Sequence, residues 1–233
     1  MIIIHDKQLG DIEVIRSNRS SSKISFRVTP QGTLRIHTSK LIPKILIHKF
    51  INENISSINS LIDQHKNKAF FFEDGLKIGK SHVISVIEST NISKTLVTTL
   101  NNTIYVKTKT GTLKTKTVQD QIREKALEAF RKEAKTYLPK RLKYFASTFD
   151  FNYKKVKLSH ASSRWGSCSS RGTISLNIAL MKLEFPLIDY VIIHELCHTR
   201  HMNHSKAFWQ EVSKYDPNYK MHQDILKTKS PTI

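Results

Sequence analysis

Apolar residues in the first forty positions recur in steps of two, as in Ile12-Val14 and Ile24-Phe26-Val28, which is the period of strands buried on one face. Pro30-Gln31-Gly32 supplies a turn into Leu34-Ile36 and predicts a hairpin. From Pro43 to about His65 the step changes to three and four, through Leu46, Ile47, Phe50, Ile51, Ile55, Ile58, Leu61 and Ile62, so this stretch reads as one amphipathic helix. Residues 69–108 return to short strands rich in Val, Ile and Thr, punctuated by Gly75, Gly79 and Asn101-Asn102. The polar run Thr108–Thr117 has no apolar period and reads as a linker. Beyond it, Val118, Ile122, Ala126, Phe130, Ala134 and Leu138 keep helical spacing, and Pro139 fits the first turn of a second helix carrying Leu142 and Phe145. Strands follow at Lys155–Leu158 and Thr173–Leu180. A further helix starts near Pro186 and carries Leu187, Tyr190, Val191 and Leu196. The pattern predicts an α+β fold: a β-rich N-terminal region with a long helix over residues 1–117, then a helix-rich domain around a small sheet over 118–233.

Composition adds little to this picture except to exclude classes. Of 233 residues, 39% are hydrophobic and 9% aromatic, enough for a core and against wholesale disorder. No apolar run approaches the roughly 20 residues that span a bilayer, and Met1-Ile2-Ile3-Ile4 is stopped by His5 and Asp6, so we expect a cytoplasmic protein with no membrane partner. Cys168 and Cys197 could form at most one bridge, which fits a reducing compartment. The net charge of +19 is spread evenly, 18 basic against 8 acidic residues before position 118 and 20 against 11 after it. A lysine-rich solvated surface accounts for this as simply as attraction to nucleic acid or nucleotides does.

The sharpest chemical signal is His194-Glu195-Leu196-Cys197-His198, inside the last of these helices. Two imidazoles four residues apart share a helical face, about 5–6 Å apart at Cβ, so both reach one ion while Glu195 stands beside them to poise a water. A catalytic zinc takes three protein ligands and keeps a fourth position open. Candidates for the third are His201, His204 and His222. If the helix continues, His201 lies about 10 Å along the axis from His194, too far for a shared ion. His204 sits six residues past His198, the separation of the HExxHxxGxxH pattern, with Asn203 suited to a left-handed reversal, and is the favoured choice. Ser205 then caps a short helix whose Phe208, Trp209 and Val212 pack inward and hold His204. Cys197 reads as a small buried hydrophobe rather than a ligand.

Taken together, Ser163-Arg164-Trp165-Gly166-Ser167-Cys168, Ile174-Ser175-Leu176-Asn177, Asp189 to His198, Asn203-His204-Ser205 and Phe208-Trp209 resemble the YgjP-like zinc metallopeptidases, relatives of the SprT-like and WLM zincins. The resemblance is loose over the whole chain and specific over residues 159–215. It implies a zincin-like catalytic domain in 118–233, zinc on His194, His198 and His204, and Glu195 as general base acting on a peptide or protein substrate. In such enzymes the strand before the active-site helix lines the substrate, so Ser175–Ile178 is expected to pair with an extended peptide. Arg164-Trp165-Gly166-Ser167-Cys168 itself reads first as a packing corner, in which Trp165 fills the core and Gly166 turns the chain.

The expected reaction is metal-assisted hydrolysis of an amide, with His201, Tyr190 and Arg164, in that order, as candidates to stabilise the oxyanion. A nucleotide pyrophosphohydrolase of UTP type is the rival enzyme, since the charge would welcome a triphosphate; against it stands the lack of a Gly-rich phosphate loop. A DNA-associated zinc protein is the non-catalytic alternative, weakened by Glu195, because structural zinc normally closes with four protein ligands.

Overall fold

The computed structural model describes residues 2–6, 9–18, 24–28, 34–59, 61 and 71–233. The chain divides into two compact units, Met1–Phe70 and Phe71–Ile233. The expected boundary at 117/118 thus falls inside the second unit.

In the first unit, four strands, β1 (Ile2–Asp6), β2 (Gly10–Ser17), β3 (Ser25–Val28) and β4 (Leu34–Ser39), form a sheet in the order β1-β2-β4-β3. The antiparallel pairing of β3 with β4 sets Phe26 opposite Ile36, as the alternation predicts; its expected turn at Pro30–Gly32 lies outside the described residues. Ile12, Val14, Leu34 and Ile36 bury one sheet face against Ile47, Ile51 and Ile58. The helix expected from Pro43 to His65 is interrupted. Helix α1 (Lys44–Glu53) ends at Asn54, whose carboxamide donates to the Phe50 carbonyl at 2.9 Å, and helical backbone resumes over 55–59. Asparagine competes with the backbone for such carbonyls, which is why it breaks an otherwise continuous apolar stripe. The stretch from 62 to His65 lies outside the described residues.

The second unit opens with a sheet of order β5-β6-β8-β7, built from β5 (Lys77–Ile78), β6 (His82–Glu88), β7 (Leu96–Leu100) and β8 (Thr103–Thr108). Asn101 and Asn102, with φ of 46° and 63°, make the two-residue turn between β7 and β8 in the conformation that hairpins prefer. Ile78, Ile84, Ile104 and Val106 from this sheet join the buried row of helix α2 (Lys116–Thr148) in one core. Pro139 does not start a new helix; it lies within α2. Leu138, Leu142 and Phe145 continue the same buried row as Ala134 across the proline, and this burial offsets the one hydrogen bond that proline removes.

A three-stranded sheet follows, order β10-β11-β9, from β9 (Lys155–Ser159), β10 (Gly166–Cys168) and β11 (Thr173–Asn177). Three departures from expectation matter here. Gly166–Cys168 is an edge strand, and the strand expected to run to Leu180 stops at Asn177, where the Asn177 side chain caps a 3₁₀ turn over Ile178–Lys182. Also, β11 is central: Ser175 pairs with Ser167 on one side and Lys157 on the other, so Ser175–Ile178 has no free strand edge to offer a peptide. Helix α3 (Phe185–Cys197) starts with Pro186 in its first turn and buries Leu187, Ile188, Val191, Ile192, Ile193 and Leu196. Asp189 at its solvent side takes both arms of Arg141 from α2 at 2.7 Å. Helices α4 (Lys206–Tyr215) and α5 (Tyr219–Lys227) complete the unit. No helix among the described residues is long and apolar enough to cross a membrane.

One buried carboxylate ties the first sheet of this unit to α2. Glu133 accepts from the backbone N–H of Lys80 (2.6 Å) and Ser81 (2.9 Å), from the Ser81 hydroxyl (2.8 Å) and from His82 Nδ1 (2.6 Å). Burial raises its pKa, but these donors outweigh it, and the group titrates below the ordinary carboxylate range. A depressed native pKa stabilises the fold above the unfolded value and the benefit is lost as pH falls through the native value. We therefore expect urea unfolding to show a stability loss on acidification below about pH 4.5 that is shallower in Glu133→Gln, with the variant less stable at pH 7 by about 2 kcal/mol.

Candidate active site

The site is assembled from α3, the turn behind it and α4. Because α3 is apolar on nearly all sides, its polar groups are held where the core puts them. The helix ends at Cys197, with His198 as its cap, so His194 and His198 lie one turn apart at its C-terminal end. The chain then turns, with Thr199, Arg200 and His201 donating back to Leu196 and Cys197 carbonyls, and reverses toward Ser205. Asn203 is not in the left-handed region among the described residues, so the reversal needs no positive φ there. Arg200 locks the turn: its guanidinium meets Glu211 on α4 at 2.5 Å and the Asp150 carbonyl at 2.5 Å, and lies over the Phe151 ring at 4.1 Å. The Ser205 hydroxyl accepts from Phe208 N at 3.4 Å, the cap the sequence predicts.

This path brings His194, His198 and His204 together. Nε2 of His204 lies 3.1 Å from Nε2 of His194 and 3.2 Å from Nε2 of His198. Among the described residues these three form the group able to hold a metal ion, their ligand atoms all within 4.8 Å of one another. The fully buried Phe208 forms the floor: it stacks on His198 (centroids 4.5 Å apart) and meets His194 and His204 edge-on at 4.9 Å each. Trp209 stacks on His204 at 5.5 Å. His198 donates its Nδ1 proton to the His201 carbonyl at 2.9 Å, leaving Nε2 as the lone-pair nitrogen. Burial, followed by the neighbouring imidazoles, pushes His194 down to about 3, and burial also lowers His198. Both are therefore neutral at pH 7, as a metal ligand must be. Tetrahedral zinc with nitrogen ligands at 2.0–2.1 Å separates those nitrogens by about 3.3 Å, which both His204 distances match.

Glu195 is 5% exposed, and its Oε2 is buried with no hydrogen-bond partner among the described residues. Burial pushes its pKa up to about 8 against the opposing charge of Arg164. The carboxylate rests against β10. A Cβ built on Gly166 would stand 2.6 Å from Glu195 Oε1 and 2.8 Å from its Cγ. Gly166 is thus glycine for want of space and not to turn the chain, since its φ is not positive. Within Arg164–Cys168, Trp165 packs against the core as expected, and the expected turn at Gly166 is instead a close approach to Glu195.

The remaining expected residues fall around this centre. Arg164 is exposed, close enough to act on Glu195. Tyr190 is buried between the rings of His194 (5.8 Å) and His222 (5.9 Å), and desolvation, then Asp216 and Glu195, raise its pKa. His201 enters through its carbonyl. His222 does not join the three imidazoles: it is on α5, with Nδ1 on Asp216 at 2.7 Å. Cys197 is fully buried and desolvation pushes its thiol up to about 12, consistent with a core role. Sequence reading left Asn177 without a role and gave Gly166 a different one, both inside its motifs; no spacing rule marks a glycine chosen for a distant side chain.

A direct test of the Gly166–Glu195 contact does not depend on activity. Gly166→Ala should lower the melting temperature, and adding Glu195→Ala should restore most of the loss, because the three atoms nearest to the added Cβ all belong to that side chain. Additive losses in the double-mutant cycle would contradict the contact.

A YgjP-like metallopeptidase domain is matched over residues 22–229. No curated protein matches the chain. Among solved structures it is similar to the metallopeptidase zymogen of Pyrococcus abyssi abylysin, at 28% identity, covering 39% of this chain and 91% of that one, with a TM-score of 0.36. With the family's domain spanning nearly all of its length, the chain belongs to the YgjP-like metallopeptidases.

Proposed function

We propose that the protein is a zinc-dependent peptidase in which His194, His198 and His204 hold the metal and Glu195 is the general base. The single observation that carries this is a buried carboxylate oxygen without a hydrogen-bond partner among the described residues, one residue along the helix from an imidazole in a three-nitrogen cage. Zinc, when bound, supplies the Lewis acidity that polarises an amide carbonyl and brings a water's pKa toward about 7. Glu195, which the positive charge of a bound ion would return to its ionised form, takes a proton from that water as its oxygen forms the new C–O bond. When the C–N bond breaks, Glu195 returns the proton to the amine nitrogen. Gly166 keeps the carboxylate in place by leaving it room.

The substrate's main chain has a dock beside this centre. In β10, Ser167 pairs with Ser175 of β11, and Trp165 O and Ser169 N bond to Asn177 and Thr173. By the alternation of an antiparallel ladder, the main-chain groups of Gly166 and Cys168 face the open edge. Those groups can add an extended peptide as a further strand, beside the carboxylate of Glu195. Arg164, exposed at the start of this edge, is the donor best placed to meet developing negative charge, ahead of the buried Tyr190.

Zinc-loaded protein should cleave casein, and chelation should stop it. Glu195→Gln should keep its metal and lose roughly 10²- to 10⁴-fold in kcat, whereas His204→Ala should lose the metal as well. Hydrolysis of UTP in a parallel incubation, with casein untouched, would instead favour a nucleotide hydrolase.

A further inference from the structure

We infer that Asn177 is a positioning residue that fixes the 161–165 loop and thereby sets the peptide-docking edge of β10 against Glu195; the part about peptide docking rests on the function proposed above. Asn177 is 0% exposed, and its side-chain hydrogen bonds run to the 161–165 loop and the following turn. Its side chain is fully engaged. Nδ2 donates to the Ala161 carbonyl at 2.7 Å and to the Arg164 carbonyl at 2.8 Å, Oδ1 accepts from Ala179 N at 3.0 Å, and its main-chain N donates to the Trp165 carbonyl at 2.9 Å. One residue thus supplies donors for three carbonyls of a five-residue loop and caps the turn that leads on toward α3.

The next residue in the chain after that loop is Gly166, the closest approach of the sheet to Glu195. β10 has three residues and is held in the sheet by β11 alone, so ladder pairing by itself is a weak anchor. The Asn177 carboxamide is the second anchor, at the end where Arg164 and Gly166 sit. A buried amide with both protons on carbonyls is costly to break and specific in geometry, since a carboxylate of the same size offers no proton to either oxygen. Release of the loop would move the Gly166 edge relative to Glu195 while leaving His194, His198 and His204, which belong to α3, its cap and the lead into α4, in place.

Asn177→Asp tests this by removing both donors at constant volume; Asn177→Ser, which keeps one, serves if the first does not fold. Made in a Trp209→Phe background, whose own zinc content and kcat/KM are the reference because Trp209 stacks on His204, each leaves Trp165 as the single tryptophan. We expect unchanged zinc stoichiometry, a Trp165 emission more easily quenched by acrylamide, and a loss of at least tenfold in kcat/KM on casein-derived peptides. Glu133→Gln is the control for loss of stability alone, compared at a temperature where both variants are folded. If Trp165 is quenched as in the parent, and kcat/KM falls no further than in the control, the inference is wrong. Should the zinc-loaded parent cleave no peptide, the peptidase reading fails, and the quenching of Trp165 alone then decides whether Asn177 holds the loop.

Discussion

The whole arrangement depends on putting polar chemistry into a helix that the core owns. Helix α3 is surrounded by side chains from α2, the β10-β11-β9 sheet, α4 and α5, and almost every residue it carries is apolar. In such a setting an imidazole or a carboxylate has lost its water and is tolerated only if something replaces it. For His198 the replacement is the His201 carbonyl and the stacked Phe208; for Glu195 Oε2 no atom among the described residues does so. Desolvation therefore does two things at once. It keeps two imidazoles neutral and ready to ligate, and it leaves a carboxylate oxygen in need of a partner.

Holding this site demands rigidity from elements that have little of their own. The turn after α3 contains no glycine or proline between His198 and Ser205, and its path is set by Arg200, which reaches α4 and the end of α2 together. β10 is equally slight, and Gly166 and Asn177 hold it from opposite sides, one through absent volume and the other through donated protons. Farther away, α2 acts as the beam: Glu133 clamps one sheet to it, Gln119 bonds both the N–H and carbonyl of Phe72, and Arg141 grips Asp189 on α3.

How much of this was legible in the sequence follows from the range of each interaction. The His194–His198 pair, the Ser205 cap and the inward packing of Phe208 are local patterns on one helix turn, and periodicity exposes them. The α+β class follows for the same reason. Pro139 misled because a local rule was overridden by burial that continues on either side of it, and Asn54 because a side-chain hydrogen bond interrupted an unbroken apolar stripe. The place of Ser175 in the middle of its sheet could not be read at all, since alternation tells which face a residue occupies but not how many neighbours its strand has. Gly166 was read as a turn, its commonest use, when its role is to be small beside a carboxylate twenty-nine residues later.

The three imidazoles all come from the eleven residues between His194 and His204, closed by contacts with the helix that follows at once. A cage of such short loop length carries a small closure entropy and can assemble as soon as two neighbouring helices meet, before distant strands find their register. The edge beside Glu195, by contrast, joins parts of the chain far apart in order. The cage and the edge are thus closed over different lengths of chain, and damage to the second need not disturb the first.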